Sequence, residues 1–244
     1  MGNYYADMLN AQSLFRVYET HLPRVKQYLE AEIDFVRKNL SGSERVLEIA
    51  AGYGRIIKAL APYCGSIVGM DISAENVALG GTYLKDYPNA SMVVMDAHKM
   101  TFDGTFDVIL CLQNGLSAMQ ANPGVVSSII NLLAPGGSVY FSSYSAQFWD
   151  WRLKWFEEQA NKGLLGEIDY NRTKDGVIIC KDGFKAMTHS PESLKEIGDT
   201  VGLPYQITEV DESSIFLIIK KISGLLPTIK EYYSERVPPI NAAR

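Results

Sequence analysis

Residues 46–55, VLEIAAGYGR, place an acid, Glu48, just ahead of a turn built almost without side chains, Ala50-Ala51-Gly52-Tyr53-Gly54. Val46, Leu47 and Ile49 read as a strand buried on both faces, and 55–60 resume with helical spacing. Gly52 and Gly54 permit positive φ and let a ligand approach backbone, while the following helix start points free N–H groups over the turn. A phosphate would suit such a turn, but the Glu48 carboxylate repels one. The acid therefore argues against a nicotinamide or flavin dinucleotide. A ligand with an ammonium group or a ribose, and no phosphate, suits it better.

Three further apolar runs end in residues able to hold such a ligand. The run 66–71 closes on Asp71, with Ser73 placed to cap the next helix; 91–96 closes on Asp96 followed by Ala97; 106–112 leads to Gln113, Asn114 and Gly115. Taken singly, Asp71 reads as well as an aid to the helix start, and Asp96 as a turn residue. Four such strand ends in succession decide the reading, because an open α/β sheet gathers ligand contacts at the carboxyl ends of its strands.

The segment Glu48-Ile49-Ala50-Ala51-Gly52-Tyr53-Gly54 resembles the E/D-x-G-x-G-x-G first motif of class I S-adenosylmethionine-dependent methyltransferases, with Ala50 in place of the first glycine. The resemblance covers residues 45–220. It implies an α/β, Rossmann-like, doubly wound seven-stranded sheet of order 3-2-1-4-5-7-6, strand 7 antiparallel, with helices on both faces. It implies S-adenosyl-L-methionine as cofactor and S-adenosyl-L-homocysteine as product, held along Glu48, Ala50, Ala51, Gly52 and Gly54. Asp71, beside Ile72, takes both ribose hydroxyls in that family pattern. Asp96 accepts the adenine amino group, the Ala97 amide meets the ring, and Leu112 and Gln113 line the methionine arm. The implied reaction is methyl transfer to a small molecule, for which a protein must chiefly desolvate and align the nucleophile.

Asn114, Tyr144 and Arg152 are the candidates on the acceptor side. Leu112-Gln113-Asn114 resembles the strand-4 end of glycine N-methyltransferase-like enzymes, where an asparagine contacts substrate. Tyr144 could hydrogen-bond to a cationic amine or face it. Arg152 could fork onto an acceptor carboxylate, or stand as a solvated helix residue. Together they suggest an amine bearing a carboxylate. The D/N-P-P-Y/F signature of amino-methylating DNA enzymes is absent after the fourth strand.

Around this core, residues 1–42 read as a helical cap or lid. Val25, Tyr28, Leu29, Ile33, Val36 and Leu40 repeat at helical spacing between Pro23 and Gly42, as a helix covering a sheet edge, and Tyr4, Tyr5 and Tyr18 are lid candidates. In a helix over 74–86, Gly80-Gly81 means either a break or a very close neighbour. A helix over 117–133 and a Pro135-Gly136-Gly137 turn lead to a fifth strand, 138–142. The domain 43–220 carries an insertion, 146–188. That insertion holds a helix with Trp149, Trp151 and Trp155, then a hairpin with a type I′ turn at Asp182-Gly183. Its aromatic residues read equally as a roof over the transferred methyl or as a homodimer interface. A helix at 192–201 and strands at 205–210 and 214–220 complete the domain, and 221–244 form a tail, helical around 228–235.

The chain has 244 residues, 47% hydrophobic and 21% charged, with formal net charge −5. That balance gives no electrostatic reason to seek nucleic acid or an anionic membrane as partner. Without an 18-residue apolar run or a signal core, a cytoplasmic protein is expected. Three cysteines without a CxxC pair read as free thiols, and three histidines without HxH or HExxH spacing give no metal site. Two rival readings stand beside the methyltransferase. One is an S-adenosylmethionine-binding regulatory or scaffold subunit without transferase activity; the other is a Rossmann-type NAD(P) oxidoreductase, opposed by Glu48 and by the missing third glycine.

Overall fold

The computed structural model describes residues 11–223. Two helices, α1 (Ala11–Tyr18) and α2 (Pro23–Arg37), lead into strands alternating with helices: β1 (Arg45–Ile49), α3 (Arg55–Leu60), β2 (Ser66–Asp71), α4 (Ala74–Tyr83), β3 (Ala90–Val94) and β4 (Phe106–Cys111). Next come α5 (Gly115–Ala118), α6 (Pro123–Asn131), β5 (Leu133–Tyr144) and α7 (Trp149–Asn161). A short hairpin, β6 (Ile178–Ile179) with β7 (Lys185–Ala186), precedes α8 (Pro191–Val201), β8 (Tyr205–Val210) and β9 (Ser214–Lys220). The main sheet runs β3-β2-β1-β4-β5-β9-β8, with β9 antiparallel to both neighbours. With the hairpin strands left out of the count, this is the expected 3-2-1-4-5-7-6 order. The tail after residue 223, with its expected helix, and Tyr4 and Tyr5 lie outside the described residues.

Period-two alternation along the strands builds two cores. Leu47, Ile49, Ile109, Cys111, Val139 and Phe141 pack with Val125, Ile129 and Leu194 of α6 and α8 on one face. Val46, Val108, Leu110 and Tyr140 pack with Val36, Ile56 and Ile57 of α2 and α3 on the other. Helix α2 thus crosses the sheet face and does not cover an edge: Phe35 meets Phe216 of β9 at 4.7 Å, and Glu32 accepts a hydrogen bond from Ser214 Oγ at 3.0 Å. The alternation that turns Leu47 and Ile49 toward one core turns Glu48 toward the other, at the carboxyl end of β1.

Three local expectations need correction. The helix over 117–133 is two helices, because Asn122 caps α6 through the Val125 N–H at 3.0 Å and Pro123 opens it. Pro135-Gly136-Gly137 lies inside β5 as a bulge: Phe106 pairs with Leu133, but Val108 pairs with Ser138. A Cβ on Gly137 would stand 2.8 Å from the Asp107 carbonyl, so only glycine lets the strands close there. The hairpin turn is not type I′. Gly183 N–H bonds to the Cys180 carbonyl, and Cys180 N–H to that of Phe184. Of the loop residues, Gly183 alone has positive φ, +96°. Three residues therefore close the loop, with glycine in the left-handed position that such loops demand. The type I′ turn falls instead between β8 and β9, where Asp211 and Glu212 have φ of +55° and +49°.

Helix α4 runs unbroken through Gly80-Gly81, and the close neighbour is real at one of them only. A Cβ on Gly80 would lie 2.9 Å from Met92 Cγ and 3.2 Å from the Tyr53 carbonyl, while one on Gly81 meets nothing within 4 Å. Opposite outcomes follow for the same substitution. Gly81→Ala should stabilise by about 1 kcal/mol, raising Tm by roughly 2–4 °C. Gly80→Ala should lower Tm, since overpacking costs about 1–3 kcal/mol. Thermal melts of the two variants against the parent check both signs.

Candidate functional site

The turn after β1 is held from three sides. Gly52 N–H donates to Asp71 Oδ2 at 2.8 Å, and Ala51 N–H to the Met70 carbonyl at 2.9 Å. Ala51 can approach β2 because Gly69 has no side chain: a Cβ there would lie 2.9 Å from that of Ala51. Above the turn, Leu14 of α1 sits so close that a Cβ on Gly52 would stand 2.7 Å from its Cδ2. Ala50 has φ of +56°, Gly52 +56° and Gly54 +85°. Alanine therefore occupies a left-handed position that glycine adopts without strain.

Over this turn lies a cavity of about 210 Å³, lined among others by Glu48, Ala50, Ala51, Gly52, Arg55, Asp71, Ile72, Asp96, Ala97, Leu112 and Gln113. Ten of the eleven expected cofactor residues are in that lining. The eleventh, Gly54, is the N-cap of α3 and shapes the turn from behind. Asp71 Oδ1 accepts from Ser73 N–H at 2.9 Å and Asn76 Nδ2 at 3.1 Å. With about four lone-pair sites on a carboxylate, one on Oδ2 stays open to a ligand. Asp96 caps the one-turn helix 97–99 through His98 N–H at 2.9 Å, while Ile72 is an exposed apolar group at the cavity wall.

Polar atoms without protein partners converge here. Glu48 Oε2, Arg55 Nη2 and Gln113 Nε2 are buried with no hydrogen-bond partner among the described residues, and all three residues line the cavity. Burial pushes the Glu48 carboxyl up to about 8, with the Arg55 guanidinium drawing it down and the Asp71 charge pushing it further up. Glu32, behind it on α2, is raised to about 7 by burial, against hydrogen bonds from Ser142 and Ser214 and the Arg55 charge. One carboxyl oxygen and one guanidinium nitrogen, each without a partner among the described residues, suit a ligand offering an ammonium and a carboxylate together.

At the carboxyl end of β4, Gln113 and Asn114 are consecutively left-handed, with φ of +53° and +63°. Their N–H groups donate to Ser142 Oγ at 2.8 Å and the Ser142 carbonyl at 3.0 Å. Past Gln113 opens a second cavity of about 70 Å³, walled by Leu14, Val17, Tyr18, Tyr144, Trp155, Phe156, Phe184 and Ala186, with Gln113, Asn114, Ala118 and Gln159.

The three acceptor candidates fall in different places. Asn114 lines this cavity, but its amide is committed, donating to the Met187 carbonyl and accepting from Ser143 Oγ at 2.8 Å. Tyr144 lines it with a ring stacked on Phe148 at 6.3 Å. Arg152 does not line it. Only 1% exposed, it donates to the carbonyls of Gly176 at 2.8 Å and Ala186 at 3.3 Å, with its guanidinium 4.6 Å from the Tyr144 ring centroid. It is neither a solvated helix residue nor a group in the cavity wall. Of the three tryptophans only Trp155 lines the cavity. It is 3% exposed, and its indole N–H donates to the Val17 carbonyl at 3.1 Å.

Sequence reasoning missed Leu14, Arg55, Asn76, Gln159 and Phe184. Arg55 directly follows the last turn glycine and Asn76 stands three residues after the helix cap, so both carried a local signal. Leu14, Gln159 and Phe184 arrive by long-range packing and carried none.

Two predictions follow from this geometry. Ala50→Gly should remove a left-handed alanine and raise stability by about 1 kcal/mol; an unchanged or lower Tm would show that the turn is not strained. Glu32 and Glu48 bind protons more tightly folded than unfolded, so their contribution is fully present below about pH 4.5 and lost as pH rises through 7 and 8. The ligand-free protein should therefore melt at a lower temperature at pH 8.5 than at 6.5, and Glu48→Gln should flatten that slope.

Residues 46–137 match a family described as "Methyltransferase domain". A ubiquinone biosynthesis O-methyltransferase of Erwinia tasmaniensis is 25% identical over 126 residues, 50% of this chain and 51% of its own length. The chain thus spans about half the length of the curated relatives it matches. The DhpI–SAH complex superposes with TM-score 0.58 at 18% identity, over 84% of this chain and 89% of that one. The N-methyltransferase NodS of Bradyrhizobium japonicum WM9, in complex with S-adenosyl-L-homocysteine, superposes with TM-score 0.52 at 16% identity, over 90% and 99%. Among the described residues no helix is long and apolar enough to cross a membrane. The matched segment contains the glycine turn and all four strand ends around the cavity, and the sheet order is the one that the resemblance to class I S-adenosylmethionine-dependent methyltransferases implies: residues 46–137 are similar to a methyltransferase domain and carry the larger cavity.

Proposed function

We propose that the protein transfers a methyl group from S-adenosyl-L-methionine to a small-molecule acceptor. The observation that carries this reading is that Glu48 Oε2 and Arg55 Nη2, both without partners among the described residues, belong to residues lining one cavity with Asp71. The amino-acid arm of the cofactor offers an ammonium for Glu48 and a carboxylate for Arg55. Its ribose offers a hydroxyl to Asp71 Oδ2, and its adenine a place against Ile72 with Asp96 and the Ala97 backbone at its edge. Nothing in that set asks for a phosphate, whereas an ammonium drives the buried Glu48 to its charged form and pairs with it. When bound, the cofactor supplies an activated methyl electrophile.

The chain's own part is positioning and exclusion of water. Helix α1 lies over both cavities through Leu14 and Tyr18 and is tied down by Trp155, by Thr20 to Glu158, and by Ala11 N–H to Asn76. In this reading α1 is the lid expected of the N-terminal segment, and Tyr144 and Trp155 are the acceptor's walls. Asn114 and Arg152 act as braces, since their polar atoms already hold the insertion in place. Among the described residues no cation lines the second cavity to meet an acceptor carboxylate, which counts against the carboxylate-bearing amine.

Calorimetry tests the cofactor assignment: S-adenosyl-L-homocysteine should bind and NAD should not. Asp71→Ala should weaken that binding by about 1.5–3 kcal/mol, the worth of a hydrogen bond to a charged group. Tight NAD binding without S-adenosyl-L-homocysteine binding would sink the proposal. Binding without transfer of labelled methyl to any component of a metabolite extract would favour a regulatory subunit.

A further inference from the structure

We infer that the second cavity takes a compact aromatic hydroxyl compound as methyl acceptor, with the Gln113 side-chain N–H bonded to the oxygen that is methylated. This rests on the proposed methyl transfer and names the acceptor class for it. Gln113 is common to the linings of both cavities, as are Leu14, Tyr18 and Ala118, and of these four it is the one with an unpartnered side-chain donor. Its orientation is set by Tyr18, whose hydroxyl donates to Oε1 at 2.7 Å. Burial raises the Tyr18 pKa and keeps that hydroxyl protonated. Nε2 is therefore the atom left over: a buried donor with no partner among the described residues. An unsatisfied buried donor is costly, and an acceptor oxygen placed against it relieves that cost.

The identity of the nucleophile follows from lone pairs. A neutral amine has one, and an amine that accepts a hydrogen bond from Gln113 has none left to attack with. An oxygen accepts that bond and keeps a second lone pair for the methyl carbon. The walls decide the rest. Tyr144, Trp155, Phe156 and Phe184 line the second cavity, and among the described residues no lysine, arginine, histidine, aspartate or glutamate does. A zwitterion or a free carboxylate beside the nucleophile would bury a charge beyond the one oxygen that Gln113 can hold, whereas an aromatic ring packs against these residues.

Among the described residues no carboxylate or imidazole in the wall can act as base, so in this proposal the hydroxyl proton leaves to solvent before transfer. The resulting oxygen anion forms the new C–O bond, and the methyl–sulfur bond breaks with its electron pair going to sulfur. The Gln113 N–H stabilises the oxygen anion in place, which favours acceptors whose hydroxyl ionises easily.

The test uses the full chain with methyl-labelled S-adenosyl-L-methionine and three acceptor sets: phenol, 4-cyanophenol and 4-nitrophenol; aniline; glycine and sarcosine. Transfer to the phenols is expected, with kcat/KM at neutral pH rising with the acidity of the hydroxyl. Gln113→Leu should lower kcat/KM for the phenols about tenfold to a hundredfold. Gln113→Glu keeps an acceptor for Tyr18 but sets a negative oxygen against the substrate, and should be at least as damaging. In both variants the dissociation constant of S-adenosyl-L-homocysteine should stay within a factor of about three. Faster transfer to glycine, sarcosine or aniline than to any phenol would overturn the inference, as would transfer to no phenol by protein that binds S-adenosyl-L-homocysteine. So would an equal loss of S-adenosyl-L-homocysteine affinity in Gln113→Leu, which would assign Nε2 to the cofactor. Failure of the parent protein to bind S-adenosyl-L-homocysteine at all would instead remove the methyl-transfer reading beneath it.

Discussion

One hydrogen bond organises the site: the Gly52 N–H on the Asp71 carboxylate, joining the turn after β1 to the end of β2. Because Asp71 also accepts from Ser73 and Asn76, the same carboxylate fixes the start of α4, and through Asn76 the first residue of α1. A left-handed alanine at position 50 costs roughly 1–2 kcal/mol and persists because its surroundings over-determine it. Those surroundings are the Asp71 bond below, the close approach at Gly69 beside it and Leu14 above. Once the turn is set, Glu48 and Arg55 have little freedom, since one ends a buried strand and the other begins a helix packed on that strand.

The two cavities divide the chemistry by charge. Glu48, Arg55, Asp71 and Asp96 all face the larger one, whereas the smaller has aromatic walls and uncharged amides. Tyr18 and Gln113 form the partition, bonded to each other across it. Such separation has a physical logic for transfer between two ligands. Charges that bind one are kept away from a nucleophile whose reactivity depends on being desolvated. Arg152 shows how strictly the separation is kept. A guanidinium lies just behind the Tyr144 ring, yet it donates to backbone carbonyls of the insertion and stays out of the cavity wall.

Much of the first cavity was legible in the chain because its residues sit at strand ends, where a short apolar run followed by an acid or a glycine turn is a local pattern. The apolar runs ahead of Asp71 and Gln113 mark both as strand ends, while the sheet order came from the family resemblance and not from the pattern itself. The second cavity was legible only in part. Aromatic density in the insertion marked Trp155, but the same density marked Trp149 and Trp151, and spacing along a helix cannot tell which side faces inward when its apolar residues surround it. Arg152 was misread for a related reason: a cation beside tryptophans suggests a ligand, while the carbonyls that occupy it come from Gly176 and Ala186, far along the chain. The split of the 117–133 helix was a miss of another kind, since Asn122-Pro123 is a start signal overridden by apolar periodicity on either side.

The left-handed pair Gln113-Asn114 explains why the insertion and the core behave as one site. Asn114 has no freedom to turn: its backbone is bonded to Ser142, and its side chain to Ser143 on β5 and to Met187 just past β7. His189, two residues after Met187, donates its backbone N–H to Ser143 Oγ as well, at 2.9 Å. A displacement of the hairpin is therefore passed through Asn114 to the adjoining peptide of Gln113, and Gln113 carries the partition between the cavities. Left-handed backbone at two successive non-glycine residues costs energy, and it is repaid here by placing one side chain in the wall and its neighbour in the brace. Changes in the insertion thus reach the acceptor's surroundings through Asn114 and Gln113, and reach the glycine turn through α1, which is held by Trp155 and rests on Gly52 through Leu14.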